Sequence, residues 1–122
     1  MTIRVPRELV SPNKWNGRHW REKHRLSQGW EHDIWAITAM KPSGLPINTR
    51  RRVQVTREAP SRRKFIRDTD NLFGACKPLC DALKRLRLIV DDSVEWLELV
   101  QPQQRVSTDG VHWTVIEISV AG

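Results

Sequence analysis

The stretch RRKFIRDTDNLFGACKPLCDALKRLRLIVDDSV, residues Arg62–Val94, decides how the rest of the chain is read. It opens on Arg62, Arg63, Lys64 and Arg67, passes Asp68 and Asp70, runs through an apolar segment to Leu83 and closes on Asp91-Asp92. Four carboxylates therefore bracket one expected helix behind a basic approach. Asp68 and Asp70 are two apart, and in an extended segment such side chains share a face. Two carboxylates on one face repel unless a proton or cation lies between them. Hard oxygen ligands suit Mg²⁺ or Mn²⁺, and the surrounding bases suit a polyanion. Each piece also has a plainer reading. Asp70 can cap a helix, and acids favour a helix's first turn. Asp91-Asp92 can be a turn between helix and strand. Either pair alone reads as a cap or turn; the two together, behind the basic approach, favour a site.

Leu72, Cys76, Leu79 or Cys80, Leu83 and Leu86 form the apolar face of the expected helix. Pro78 complicates it, because an interior Pro removes a backbone bond and kinks the helix, whereas the first helical position accepts Pro. A short turn over about 70–75 followed by a helix starting near Lys77 resolves the conflict. Cys76 and Cys80 are the only cysteines. They read as small core residues, since zinc would need two further ligands and no His sits at zinc-finger spacing.

Arg67-Asp68-Thr69-Asp70-Asn71-Leu72, Lys77, Asp81-Ala82-Leu83 and Ile89-Val90-Asp91-Asp92-Ser93-Val94 together resemble the RusA family of Holliday junction resolvases. The likeness covers about 28 residues and is weak elsewhere. It implies a small, dimeric, Mg²⁺-dependent endonuclease, with Mn²⁺ able to substitute, that cuts four-way DNA junctions symmetrically. It implies metal-binding catalytic carboxylates at Asp68, Asp70 and Asp92, with Asp91 as a candidate supporting ligand, and a catalytic Lys at Lys77. One departure stands out. The family's Lys usually falls four residues after the second Asp, and Lys77 falls seven after Asp70, which places a three-residue insertion around Phe73-Gly74-Ala75. Offsets of four and seven both return near one helix face.

The 122 residues suit one domain, 1–122. A formal net charge of +7 favours nucleic acid or another polyanion. The hydrophobic content of 39 % and six Trp argue for a folded chain. No stretch is apolar enough to span a membrane, and Met1–Pro6 lacks a signal peptide's apolar run. A cytoplasmic protein is expected, with no membrane partner and no small-molecule cofactor.

Outward from the central stretch, Thr2–Val5 reads as a short strand limited by Pro6. Val10–Arg25 reads as a polar loop whose bases, Lys14 and Arg18 among them, interleave with Trp15 and Trp20. Such a loop can grip a DNA backbone and stack on unpaired bases, or its Trp side chains can plug the core edge; both readings stay open. Ser27 can cap a helix to about Met40, with Trp30, Ile34 and Ile37 as its apolar stripe. Arg51–Glu58 alternates as a half-buried strand, with Val53 and Val55 inward. Lys84, Arg85 and Arg87 suit a helix C-terminus. Val94–Val100 reads as a third strand. Asp109-Gly110 signals a hairpin into Val111–Val120, whose apolar face is Thr114, Ile116, Ile118 and Val120. The order strand, helix, strand, helix, strand, strand gives an α+β fold: a small mixed sheet of about four strands with two helices on one face, assembled as a homodimer.

The expected function is a metal-dependent, structure-selective crossover junction endodeoxyribonuclease serving DNA recombination and repair. Asp68, Asp70, Asp92 and Lys77 would carry the chemistry, while Arg62, Arg63, Lys64, Arg67, Lys14 and Arg18 would hold branched DNA. The first rival is a non-enzymatic basic DNA-binding protein whose Asp residues are caps and turns. The second, an Asp-x-Asp transferase, would need a nucleotide-sugar domain the chain is too short to carry, and there is no Gly-rich phosphate loop.

Overall fold

The computed structural model describes residues 1–14, 20–39, 41 and 43–121. Five strands form one mixed sheet: β1 (Thr2–Val5), β2 (Arg51–Ala59), β3 (Leu97–Leu99), β4 (Gln103–Val106) and β5 (Trp113–Val120). The helices are α1 (Trp20–Thr38), α2 (Thr69–Gly74) and α3 (Lys77–Arg85), with single 3₁₀ turns at Pro12–Lys14 and Arg62–Lys64. The α+β class and the mixed sheet agree with expectation; the strand count and connectivity do not.

β5 lies between β1 and β2 and is antiparallel to both. The far edge is split. β3 runs parallel to Arg51–Val53 and β4 runs parallel to Thr56–Ala59, so two short strands share one side of β2. Pro102 falls in the gap between them and has no N–H for the ladder. Parallel pairing needs a long crossover, and α2 and α3 supply it. Asp109-Gly110 makes a turn, with Gly110 at φ 72° and Val111 N–H donating to Asp109 Oδ1 at 3.1 Å. It is nevertheless no hairpin, because β2 separates β4 from β5.

The register puts Val5, Ile3, Val53, Val55, Ile116 and Ile118 on one face of the sheet, all buried under α1 and α3. Trp30 and Ile34 from α1 meet Leu79, Cys80, Ala82 and Leu83 from α3 there. Ile37 is exposed, as is Val120 at the end of β5, so the expected stripes run one residue too far. α1 begins at Trp20 rather than near Ser27. Its first turns are polar because they face solvent, which gives them the composition of a loop. Ser27 is buried mid-helix, and its hydroxyl accepts from Arg85 Nη2 at 2.8 Å. The expected end of this helix at Met40 lies outside the described residues. Both cysteines are buried, and burial raises both thiols, Cys80 to about 12. They are core residues, held as thiols. No helix among the described residues is long and apolar enough to cross a membrane.

Candidate nucleic-acid interface and carboxylate cluster

The segment 69–85 breaks where Pro78 suggested. α2 ends at Gly74, Ala75 and Cys76 turn the chain, and α3 starts at Lys77 with Pro78 in its first positions. The missing proline N–H thus falls where a helix has no partner for it. Gly74 lets α2 approach the Pro12–Lys14 turn, since a Cβ there would meet Pro12 Cγ at 3.0 Å. Phe73, Gly74 and Ala75 lie at this junction between the two helices.

The helix cap is Asp68, not Asp70. Asp68 Oδ1 accepts from the N–H groups of Asp70 and Asn71, at 2.8 and 3.1 Å. Asp70 lies in the first turn of α2 and is exposed. Asp68→Ala should therefore cost about 0.5–2 kcal/mol of stability, and Asp70→Ala should stay within about 0.5 kcal/mol of the parent. Urea unfolding of both variants checks this; equal losses would remove the cap.

Lys77 folds back across 15 residues to Asp92, with Nζ bonded to Asp92 Oδ2, and it also lies 3.5 Å from Asp81 Oδ1. The Asp92 bond raises the pKa of Lys77 against the opposing effect of burial, so the ammonium stays charged. One ammonium therefore bridges two carboxylates and leaves the group with one net negative charge. Lys77 and Asp92 line a cleft of about 380 Å³ with Phe73, Leu97 and Leu99. Asp81 lies within the motif, yet the resemblance assigns it no role; its i, i+4 spacing from Lys77 was the available signal. Asp91 pairs with Lys84 at 2.8 Å, and that bond holds its carboxyl down to about 2.

Asp68 belongs to a different cleft, of about 360 Å³, lined by Lys14, Lys64, Arg67 and Asn71. Arg62, Arg63 and Lys64 project from their 3₁₀ turn into solvent, and Arg67 is exposed beside them. Arg62 and Arg67 line a further groove with Phe65 and Arg105. Arg18 and Trp15 lie outside the described residues. Trp20 is 68 % exposed and does not plug the core edge.

The missed residue is Arg57. It is only 4 % exposed and sits on the core side of β2 in phase with Val53 and Val55, a placement the strand alternation already contained. Its Nε donates to Leu9 O at 2.8 Å and its Nη1 to Lys64 O at 2.7 Å and Gln104 Oε1 at 3.2 Å, with Glu8 at 3.7 Å. Gln104 in turn bonds both backbone groups of Ile66 at 2.9 Å. Arg57 and Gln104 therefore pin the loop that carries the basic run.

Oxygen-only donors have the right chemistry for Mg²⁺. The arrangement does not fit a three-carboxylate centre. Asp68 Oδ1 is occupied by backbone N–H groups, Asp92 by Lys77, and among the described residues no three His, Cys, Asp or Glu side chains gather closely enough to hold an ion. What stands here is a pair of carboxylates bridged by a lysine, with a basic surface running up to Asp68 in a separate cleft. Compared with known proteins, the chain matches no family model and no curated protein.

Proposed function

We propose that the protein is a RusA-like, structure-selective endodeoxyribonuclease that resolves four-way DNA junctions in recombination and repair. The observation carrying this reading is the cleft in which Lys14, Lys64 and Arg67, from two separate loops, surround Asp68 and Asn71 at the head of the motif. Phosphates would lie along these cations, with Arg62 and Arg63 extending the track. Lys77 would place its ammonium beside the scissile phosphate and stabilise charge as it develops on the phosphoryl oxygens. Two matched cuts call for two active sites, so a C₂ homodimer acting on branched DNA belongs to the proposal. So does dependence on Mg²⁺, or Mn²⁺ in its place; Asp68, Asp70 and Asp92 do not converge in the structure described, so they would hold the ion only if bound DNA drew them together.

The non-enzymatic DNA-binding alternative has one observation in its favour, the use of Asp68 as a helix cap. Incubating a synthetic four-way junction with the protein, with and without Mg²⁺, separates the two. Paired, metal-dependent nicks support the nuclease; tight binding without nicks under any divalent cation supports the alternative. Asp70→Asn should abolish cutting and leave junction binding intact or stronger.

Replacing Arg62, Arg63 and Lys64 together by Gln should weaken binding across all sequences. The slope of log affinity against log salt should fall by about 0.9 for each phosphate that the variant no longer neutralises on B-form DNA. Fluorescence anisotropy over a salt series measures it, and an unchanged slope would leave the run a solvated surface.

A further inference from the structure

Arg51 opens β2 on the face whose next inward residues, Val53 and Val55, are core. It is 5 % exposed, yet its Nε and Nη1 are closed off from solvent with no acceptor among the described residues. No carboxylate among those residues pairs with it. Arg57, six residues on and equally buried, shows the contrast, because the fold gives it three oxygens and Glu8. A buried guanidinium with unmet donors is costly unless an anion meets it.

Arg51 lines a cleft of about 530 Å³ together with Lys84, Arg87 and Asn48, walled by Ile47 and Ile89. The acid beside them is Asp91, bonded to Lys84. Three cations against one carboxylate leave the cleft positive. Arg87 carries a second, independent sign. α3 closes with Leu88 N–H donating to Leu83 O and Arg87 N–H to Lys84 O, both at 3.0 Å, and Arg87 sits at φ 59°. That left-handed position is ordinarily glycine's. A strained arginine there needs a reason, and the cleft supplies one.

We infer that Arg51, Lys84 and Arg87 form a phosphate-binding pocket. Lys84 and Arg87 are exposed and would meet the phosphate first. The guanidinium fork of Arg51, which matches phosphate oxygens two at a time, would reach it as the cleft opens over Nε and Nη1. The aliphatic wall would meet the attached sugar or base, and Asn48 offers an amide to either. The phosphate belongs to a nucleic-acid strand or to a free nucleotide; both present the same group. Val90 lines this cleft and Asp92 the next, so a strand held here would lie beside the Lys77–Asp92 cluster. The pocket rests on the surroundings of Arg51 and stands whether or not the protein cuts DNA.

The test is thermal unfolding of the full chain in inorganic phosphate against chloride at matched ionic strength. Phosphate should raise the wild-type melting temperature in a saturable way. Arg51→Met should melt no lower than wild type in chloride, because an unmet charge has gone, and should lose the phosphate response. Arg87→Gly should melt higher, with its backbone strain relieved, yet bind phosphate about tenfold more weakly, as the removal of one charge-assisted bond implies. Equal phosphate shifts in wild type and Arg51→Met, or no shift in either, would overturn the pocket. If Arg51→Met does not fold, calorimetric titration of Arg87→Gly with phosphate decides alone, and unchanged affinity overturns the pocket. Adding a DNA duplex or a nucleoside monophosphate assigns the source: whichever displaces phosphate from wild type shares the pocket with it.

Discussion

Lys77→Ala is expected to slow single-turnover cleavage of a synthetic four-way junction by about 10²–10³-fold, the usual effect of removing one donor aimed at developing charge. The ammonium lies between Asp81 and Asp92, and the Asp92 bond keeps it protonated. Its side chain is about half exposed, at 48 %, so a substrate phosphate can reach it. The same exposure limits its structural worth, since ion pairs of this kind contribute about 0–1 kcal/mol. The variant should therefore melt close to wild type and bind the junction with little change in affinity. A rate loss accompanied by a large stability loss would mean that Lys77 only holds the Asp91–Asp92 loop. Arg67→Ala is the control, because Arg67 adjoins Asp68 and stays charged at any working pH. Wild-type cutting by Lys77→Ala with a crippled Arg67→Ala would move the catalytic role to Arg67.

Arg57→Met should destabilise the protein by about 3–5 kcal/mol, as removing one partner from a buried charged network does. The substitution strands the carbonyls of Leu9 and Lys64, and each buried acceptor left unmet costs about 1–3 kcal/mol. Burial lowers the pKa of Arg57, partly offset by Glu8, and an arginine side chain stays charged at working pH. Arg57→Lys should recover only part of the loss, because an ammonium cannot serve three oxygens in the plane of a fork. Urea unfolding reads both variants, and an unchanged midpoint for Arg57→Met would refute the network. The effect should extend to DNA. Arg57 ties the loop after Leu9 to the loop holding Lys64, so slackening it should flatten the salt dependence of binding even though Arg57 itself need touch no phosphate.

Several features were legible in the chain because they rest on local rules. Val53 and Val55 alternate with polar residues, and that period alone makes a strand with one buried face. Pro78 can sit only near a helix start, so the break before it follows from one residue's geometry. Cys76 and Cys80, four apart beside Leu72 and Leu83, had to share their burial. The start of α1 was not legible, because a polar helical turn facing water and a polar loop have the same composition. The hairpin at Asp109-Gly110 failed for a related reason: the turn is local, but which strands lie on either side of it is not. Pairing of β4 with β2 is parallel and depends on the whole crossover between them.

The site divides along the same line. The family resemblance grouped Asp68, Asp70, Lys77 and Asp92, and the residues around them carry positive charge. Only the tertiary structure decided that Asp68 turns its carboxylate to the start of α2 while Lys77 reaches Asp92 and Asp81 in a separate cleft. It also decided that Arg57 finds a full set of partners whereas Arg51, on the same face of the same strand, leaves two buried donors unmet among the described residues. The reason is the reach of the forces involved. Propensity and alternation act over a few residues, whereas the partners of a buried charge come from whatever distant loops the packing brings within about 3 Å.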